Sequence, residues 1–465
     1  MPQTGSDPRW AGWSFLTSPE PPVLIAVTDP DPFGRLAAAI QSTRLPGRVQ
    51  EHPVPFVGGW MVALGYELGR SIEPTAAGTA ERVDADWPWS IVLWRVPGAL
   101  AYEHGAERWW SVGEANAALL DRLRMPSGDA NAETYEMAEP MPARSRAEYL
   151  AAVARGVEYI HAGDCFQVNL SHRIRAGFRG SPRGLFGAML DAASPWYGAY
   201  LEVPTAGGLH AAMSVSPELF LEYRATTRSV TTRPIKGTRA GRTDPSELRS
   251  SIKDRAELAM IIDLMRNDLG RVCEIGSVRV DEEQAIERHG YPGSPNRVPP
   301  SGSPASPSRK SQTRFGEPGY SEPDHPNTGV HHGVATIRGT LRADRSAADL
   351  LRATFPGGSI TGAPKVRAMQ IIEELEPTPR GLYTGAIGYL SDCGNLSLNI
   401  AIRTAVVRSG QLTFGAGAGI VADSIPEQEW QETLDKAGFL RTVATTHAAS
   451  SVHTARRVSA QEQSA

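Results

Sequence analysis

A chain of 465 residues is long enough to bury the core of one large domain or of two to three ordinary ones. Its 47 basic and 51 acidic residues, a net charge of -4, give no electrostatic footprint for nucleic acid or an anionic membrane, which favours a small-molecule partner. Cys165, Cys273 and Cys393 are odd in number and lack CxxC spacing, so neither a disulfide framework nor a zinc site is suggested and a reducing cytoplasm fits.

The N-terminus has no basic stretch followed by an apolar one, and no apolar run reaches the roughly 18 to 20 residues of a membrane span. The expectation is a cytoplasmic protein, neither exported nor membrane-bound. Residues 1–125 mix short β-like runs, "PPVLIAV" and "WSIVLWRV", with turn clusters, which predicts a β-rich part with few helices. Residues 126–145 read as a polar linker. From Arg146, "RAEYLAAVARGVEYIHAG" has helical apolar spacing and ends on Gly163, followed by strand-like "CFQVNLSHRI". "KDRAELAMIIDLMRNDLGRV" predicts a second helix and "PEQEWQETLDKAGFLRTVAT" a third, with β-rich runs such as "GLHAAMSVSPELFLEY" between them. Strand runs broken by single long helices favour an α+β layered fold. Residues 290–329 carry nine prolines and almost no aliphatic side chains, which predicts a disordered surface insert, and residues 449–465 read as a frayed tail.

Several residues stand out against this background. On the second helix Glu257 shares a face with Ile261 and Leu264, which sets an acid on an apolar stripe. On the third, Glu429, Glu432 and Lys436 fall at i, i+3 and i+7, opposite Trp430, Leu434 and Ala437. Two acids on one face repel unless a cation sits between them. They form either a solvated face with a Glu432–Lys436 ion pair or, with Glu257, an oxygen donor set for Mg²⁺. In "LTFGAGAGIVADS" the glycines Gly415, Gly417 and Gly419 either make a tight strand end or let backbone approach an anion; GxGxG is not a dinucleotide fingerprint. Arg403, among apolar strand residues, is either an ion-pair member or a carboxylate clamp. Lys236 in "TTRPIKGTRAGRT" is either a solvated turn residue or a nucleophile aimed into a pocket.

"RAEYLAAVARGVEYIHAGDCFQVNLS", "SPELFL", "RPIKGTR", "AELAMIIDLMRNDLGRV", "FPGGSITGAPKVRAMQIIEELEP", "RGLYTGAIGYLS", "NIAIRT" and "GAGAGIVADSIPEQEWQETLDKA" resemble, in order, the signatures of the chorismate-utilising enzymes. That family includes the large subunits of anthranilate and aminodeoxychorismate synthases and the isochorismate and salicylate synthases. The resemblance covers residues 146 to 440 apart from the insert, and makes 146–448 the expected catalytic domain. It implies a sandwich of antiparallel β-sheets with helices outside and the active site between the sheets. It also implies Mg²⁺ held by Glu257, Glu429 and Glu432. Tyr383, Arg403 and the amides around Gly417, Ala418 and Gly419 would hold the enolpyruvyl carboxylate of chorismate, with Gly237, Thr238 and Lys436 beside it. Glu218 in "SPELFL" and His332 in "VHHGVAT" match the two acid–base positions, with Glu218 ranked first.

Two positions separate the branches. The isochorismate and salicylate branch uses a lysine general base where this sequence has Gln167, and an amide takes no proton, so water attack at C2 is disfavoured. "PIKGT" resembles the aminodeoxychorismate branch, in which the lysine attacks C2 of chorismate and ammonia then adds at C4, a transaminase-type amination; anthranilate synthases resemble "PIAGT". The alternatives are anthranilate synthase chemistry or an inactive chorismate-binding subunit. No cysteine lies in a GxCxG-like elbow, so ammonia is expected from solution or from a separate glutamine amidotransferase subunit.

Overall fold

The computed structural model describes residues 12–42, 52–76, 82–113, 119–120, 133–240, 244–289 and 330–461, with side chains as far as Ala444. Two antiparallel sheets dominate the described residues. The larger runs in the order Ile235–Ala240, Val330–Thr340, Ser229–Arg233, Leu219–Arg224, Leu396–Ile400, Ala386–Ser391, Gly59–Leu64, Trp89–Val96 and Val23–Ala26, with Arg279–His289 also paired to Val330–Thr340. The second runs Tyr197–Thr205, Gly208–Ser216, Thr404–Arg408, Gln411–Ile420, Gln167–Gly180 and Gly362–Ala363. A small third sheet joins Trp13–Thr17, Gly98–Glu103 and Arg108–Gly113. The α+β class holds, and Gly59–Leu64 and Trp89–Val96 continue the sheet that carries Lys236, so the N-terminal part and the catalytic segment share one sheet.

Apolar side chains from both sheets close the space between them. Trp87, Ile387, Leu382, Ala212 and Val406 belong to one buried cluster. Polar ties cross the same gap: Trp94 Nε1 donates to Glu202 O at 3.2 Å and Asn399 Nδ2 to Tyr197 O at 2.9 Å. Each fully buried aliphatic or aromatic side chain contributes roughly 1.5–3 kcal/mol, so this interface holds the two sheets at a set separation.

The helices start where their caps allow. Ser145 caps Arg146–His161 through a reciprocal box with Glu148, and the chain turns out at Gly163, φ 84°. Ser251 accepts from Asp254 N and opens Ile252–Gly270, whose buried stripe is Leu258, Ile261, Ile262, Met265 and Leu269. Trp430 packs against His172 with ring centroids 4.8 Å apart and sets the approach of the C-terminal helix, Pro426–Gln461.

Two expectations need correction. The second half of the 126–145 linker pairs with Gln167–Gly180 as Tyr135–Met137 and Met141–Pro142, because the Tyr135 ring is buried and its hydroxyl donates to Val443 O at 2.8 Å. The backbone of 449–461 continues the last helix in place of a frayed tail, as its alanine content permits. Residues 290–329 lie outside the described residues; they connect His289 and Val330, which are direct cross-strand partners. Cys165, Cys273 and Cys393 are free thiols.

Candidate active site

Lys236 enters the space between the sheets because its strand is irregular. Ile235 faces Val334 and Thr238 faces His332, with a register shift between them, and Gly237 adopts φ 81°, a conformation that suits glycine. The Lys236 side chain is only 14% exposed, and Nζ lies 3.1 Å from Oε2 of Glu257. The solvated-turn reading of Lys236 therefore fails.

The opposing wall is the glycine strand. A Cβ on Gly415 would fall 2.2 Å from the Tyr383 ring, on Gly417 2.9 Å from Asn169 Oδ1, and on Gly419 2.7 Å from Lys236 Nζ and 2.9 Å from Gln167 Nε2. The three glycines thus make room for protein side chains from both sheets. Lys436 Nζ donates to Gly417 O at 2.8 Å. Alternate residues of a strand direct their backbone groups to the same side, so the amides of Gly417 and Gly419 point toward Lys436, away from the Gln167–Gly180 strand. Ala418 turns its methyl the other way, into the core.

The three glutamates are each matched by a lysine. Lys236 holds Glu257, Lys436 holds Glu432 at 2.7 Å, and Lys253 lies 4.0 Å from Glu429, which also accepts from Ser424 Oγ at 2.7 Å. Burial raises the pKa of Glu429 and the charges of Glu432 and Glu257 add to it, against Ser424 and Lys253. Burial acts in the same direction on Glu432, but Lys436, then Lys236 and Lys253, outweigh it and leave that carboxyl lowered. The Glu432–Lys436 ion pair forms and is about half exposed, while Glu429 is buried and so is not part of a solvated face. Among the described residues no three acids, histidines or cysteines form a ready metal cage. The donor set is nonetheless all oxygen, and Mg²⁺ needs only one or two carboxylates beside water and substrate oxygens, so the chemistry of these glutamates fits that ion.

Glu218 and His332 differ in what they can do. Glu218 is buried and accepts from Ser359 Oγ at 2.6 Å; burial pushes its pKa up to about 7, against Ser359 and Lys236. His332 pairs through Nδ1 with Thr238 Oγ1 at 2.9 Å and meets the edge of His289 at 4.9 Å. Burial, with His289 and Arg403 nearby, holds its imidazole well below the usual range, so it is neutral and has no acidic proton to give. Arg403, at φ 48°, is held in a left-handed conformation between the strands, and burial lowers its pKa. Its guanidinium has no carboxylate partner among the described residues, which leaves the clamp reading. Tyr383 is half-buried against Gly415, and desolvation raises its hydroxyl pKa. Behind it lies a cavity of about 120 Å³ lined by Asp84, Arg173, Glu376 and Arg380, where Arg173–Asp84 and Arg380–Glu376 are ion pairs at 2.7 Å.

The fold therefore brings Gln167, Glu218, Lys236, Gly237, Thr238, Glu257, His332, Arg403, Gly417, Gly419, Glu429, Glu432 and Lys436 toward one region, with Tyr383 at its edge. Asn169, Lys253, His289 and Ser359 were not expected from the sequence. Only Lys253, four residues before Glu257 on a helix, left a local signal there.

A largely buried lysine, a carboxyl poised near neutrality, an arginine without a carboxylate partner among the described residues and a cluster of glutamates meet between two antiparallel sheets, the acid, base and anion-binding groups of an enzyme site. The profile of a family described as chorismate binding enzyme matches residues 17–291 and 325–442, and the chain belongs to that family. It is 38% identical over 409 residues to aminodeoxychorismate synthase component 1 of Klebsiella aerogenes, covering 83% of this chain and 77% of that protein. It is 39% identical over 406 residues to anthranilate synthase component 1 of Pseudomonas aeruginosa, covering 82% and 74%. Among solved structures, anthranilate synthase component I from Streptococcus pneumoniae superposes with a TM-score of 0.72 at 26% identity, over 92% of this chain and 91% of that one.

Proposed function

We propose that this chain converts chorismate and ammonia into 4-amino-4-deoxychorismate, the precursor of p-aminobenzoate in folate synthesis, with Lys236 as the covalent nucleophile. The observation that carries the reading is that Lys236 Nζ is turned inward between the sheets, against Gly419 and beside Gln167, where a surface turn was the alternative. In this reading Lys236 passes its ammonium proton to Glu257, 3.1 Å away, and regains it on departing; the freed amine attacks C2, the ring double bond shifts, and the C4 hydroxyl leaves as water with the proton of Glu218. Ammonia then adds at C4, the double bond shifts back, Lys236 departs from C2, and the proton shed by the new amine restores Glu218. Arg403, Lys436 and the amides of Gly417 and Gly419 supply donors for the substrate's carboxylates. Thr238 orients the neutral His332.

Glu257, Glu429 and Glu432 would hold Mg²⁺, which when bound would neutralise the substrate's ring carboxylate. Ammonia would come from a separate glutaminase chain, in keeping with relatives named as component 1. The 39% identity to an anthranilate synthase component favours one second reading, direct attack of ammonia at C2. Product chromatography after incubation with chorismate, Mg²⁺ and an ammonium salt separates the two: aminodeoxychorismate supports the Lys236 route, and anthranilate as the main product replaces it.

A further inference from the structure

Beside the carboxylates of Glu218, Glu257, Glu429 and Glu432, each of which already has a partner, the charged and backbone groups that converge on the site are donors: Lys236, Lys436, Arg403 and the backbone amides of the glycine strand. They suit chorismate, whose two carboxylates and ether oxygen are acceptors and which offers a single hydroxyl donor. Two groups break the pattern. Gln167 is fully buried, and neither end of its amide makes a hydrogen bond among the described residues; Asn169 is 9% exposed, and its Oδ1 is likewise without a donor among them. They stand two apart on the Gln167–Gly180 strand and so share one face, which lies over Gly417 and Gly419. Lys236 Nζ shares with Gln167 Nε2 the space a Cβ on Gly419 would fill.

The backbone of this strand segment is fully engaged, so the amides are not needed to hold it. Asn169 N donates to Thr361 O at 2.8 Å and Asn169 O accepts from Arg380 at 2.7 Å. A buried acceptor left without a donor is costly, and natural proteins keep one where a ligand completes it. Of the two reactants in the reading above, on which this inference rests, only ammonia carries N–H donors, and it carries three. We propose that the side-chain carbonyls of Asn169 and Gln167 form the subsite that holds ammonia beside the reacting carbon, with Asn169 a specificity-determining residue for the amine. Neutral acceptors hold ammonia by its hydrogens and leave the nitrogen lone pair free to attack. The same carbonyls cannot take a proton from water, so water gains nucleophilicity from neither.

The test uses the full-length chain with saturating Mg²⁺ and measures KM for the ammonium salt and for chorismate separately, in wild type, Asn169→Leu and Asn169→Ala. Leucine keeps the shape of asparagine without its carbonyl, and alanine guards against a misfit of the larger side chain. The expected result is an ammonium KM raised about tenfold in both variants with the chorismate KM within about twofold of wild type. An unchanged ammonium KM, or a chorismate KM raised equally, overturns the subsite while leaving the reaction standing. A wild-type chain that consumes no chorismate with ammonium overturns the reaction and the subsite together.

Discussion

Lys236 and Glu257 form an ion pair across two elements, a bulged strand and the first turns of a helix, with 3.1 Å between Nζ and Oε2. The pair joins the proposed nucleophile to a proposed metal ligand, so the electrostatic state of one is felt by the other. Replacing either leaves a buried charge unmatched, which is why their effects are not expected to add.

Lys236→Ala should lower aminodeoxychorismate formation by at least about 10²-fold. Wild type quenched rapidly with chorismate and no ammonia should gain the mass of chorismate less water on the peptide holding Lys236, and the variant should not. Borohydride should leave the adduct unchanged, because the bond is already a secondary amine. Wild-type product rates in Lys236→Ala would end the nucleophile assignment.

Glu432→Gln removes one charge from the acidic cluster and leaves Lys436 unpaired. Turnover should fall by about 10²-fold or more at any ammonia concentration, and calorimetric titration with Mg²⁺ should show weakened binding. Turnover within a few-fold of wild type would make the half-exposed Glu432–Lys436 pair a surface feature alone.

Glu218 must be protonated to release the C4 hydroxyl, and its pKa stands at about 7. At a fixed concentration of free ammonia, kcat/KM for chorismate is therefore expected to bend downward as pH rises through about 7, while the need for an unprotonated Lys236 lowers it on the acid side; Glu218→Gln should abolish the bend together with most of the rate. A pH profile still rising from 7 to 9 would remove Glu218 from the acid role.

Glu67 accepts from the amides of Arg380 and Gly381 at 2.8 and 3.0 Å, and burial raises its pKa to about 7. The folded state thus binds a proton that the unfolded chain releases near its ordinary value. The stabilisation is complete below that ordinary value and is lost as pH rises through about 7, on the order of 3 kcal/mol in all. Glu67→Gln should flatten the fall in thermal midpoint between pH 5 and 8; an unaltered slope would assign it to other groups.

His289 and Val330 are adjacent across paired strands, so a short turn can join them. Replacing residues 290–329 with a Gly-Asn-Gly link should leave turnover within about twofold and shift the thermal midpoint by no more than about 2–4 °C. A large loss of either would give the segment a part in the site.

What the sequence determined by itself was whatever repeats at short range. Helical spacing located Arg146–His161 and the Ile252–Gly270 helix, and Glu432 with Lys436 announced its own i, i+4 ion pair. Eight ordered motifs carried the family and the α+β sandwich. Contacts between distant segments could not be read in that way. Glu218 meets Ser359 141 residues away, and Lys236 meets Glu257 on another element. The glycines of "GAGAG" were open to two readings until Tyr383, Asn169, Gln167 and Lys236 filled the space beside them. Tyr135 turned an apparent linker into a strand because its ring found a buried slot against the last helix. The elevated pKa of Glu218 and the neutrality of His332 follow from burial, which belongs to no residue alone: it arises only when two sheets close and exclude water from the groups between them.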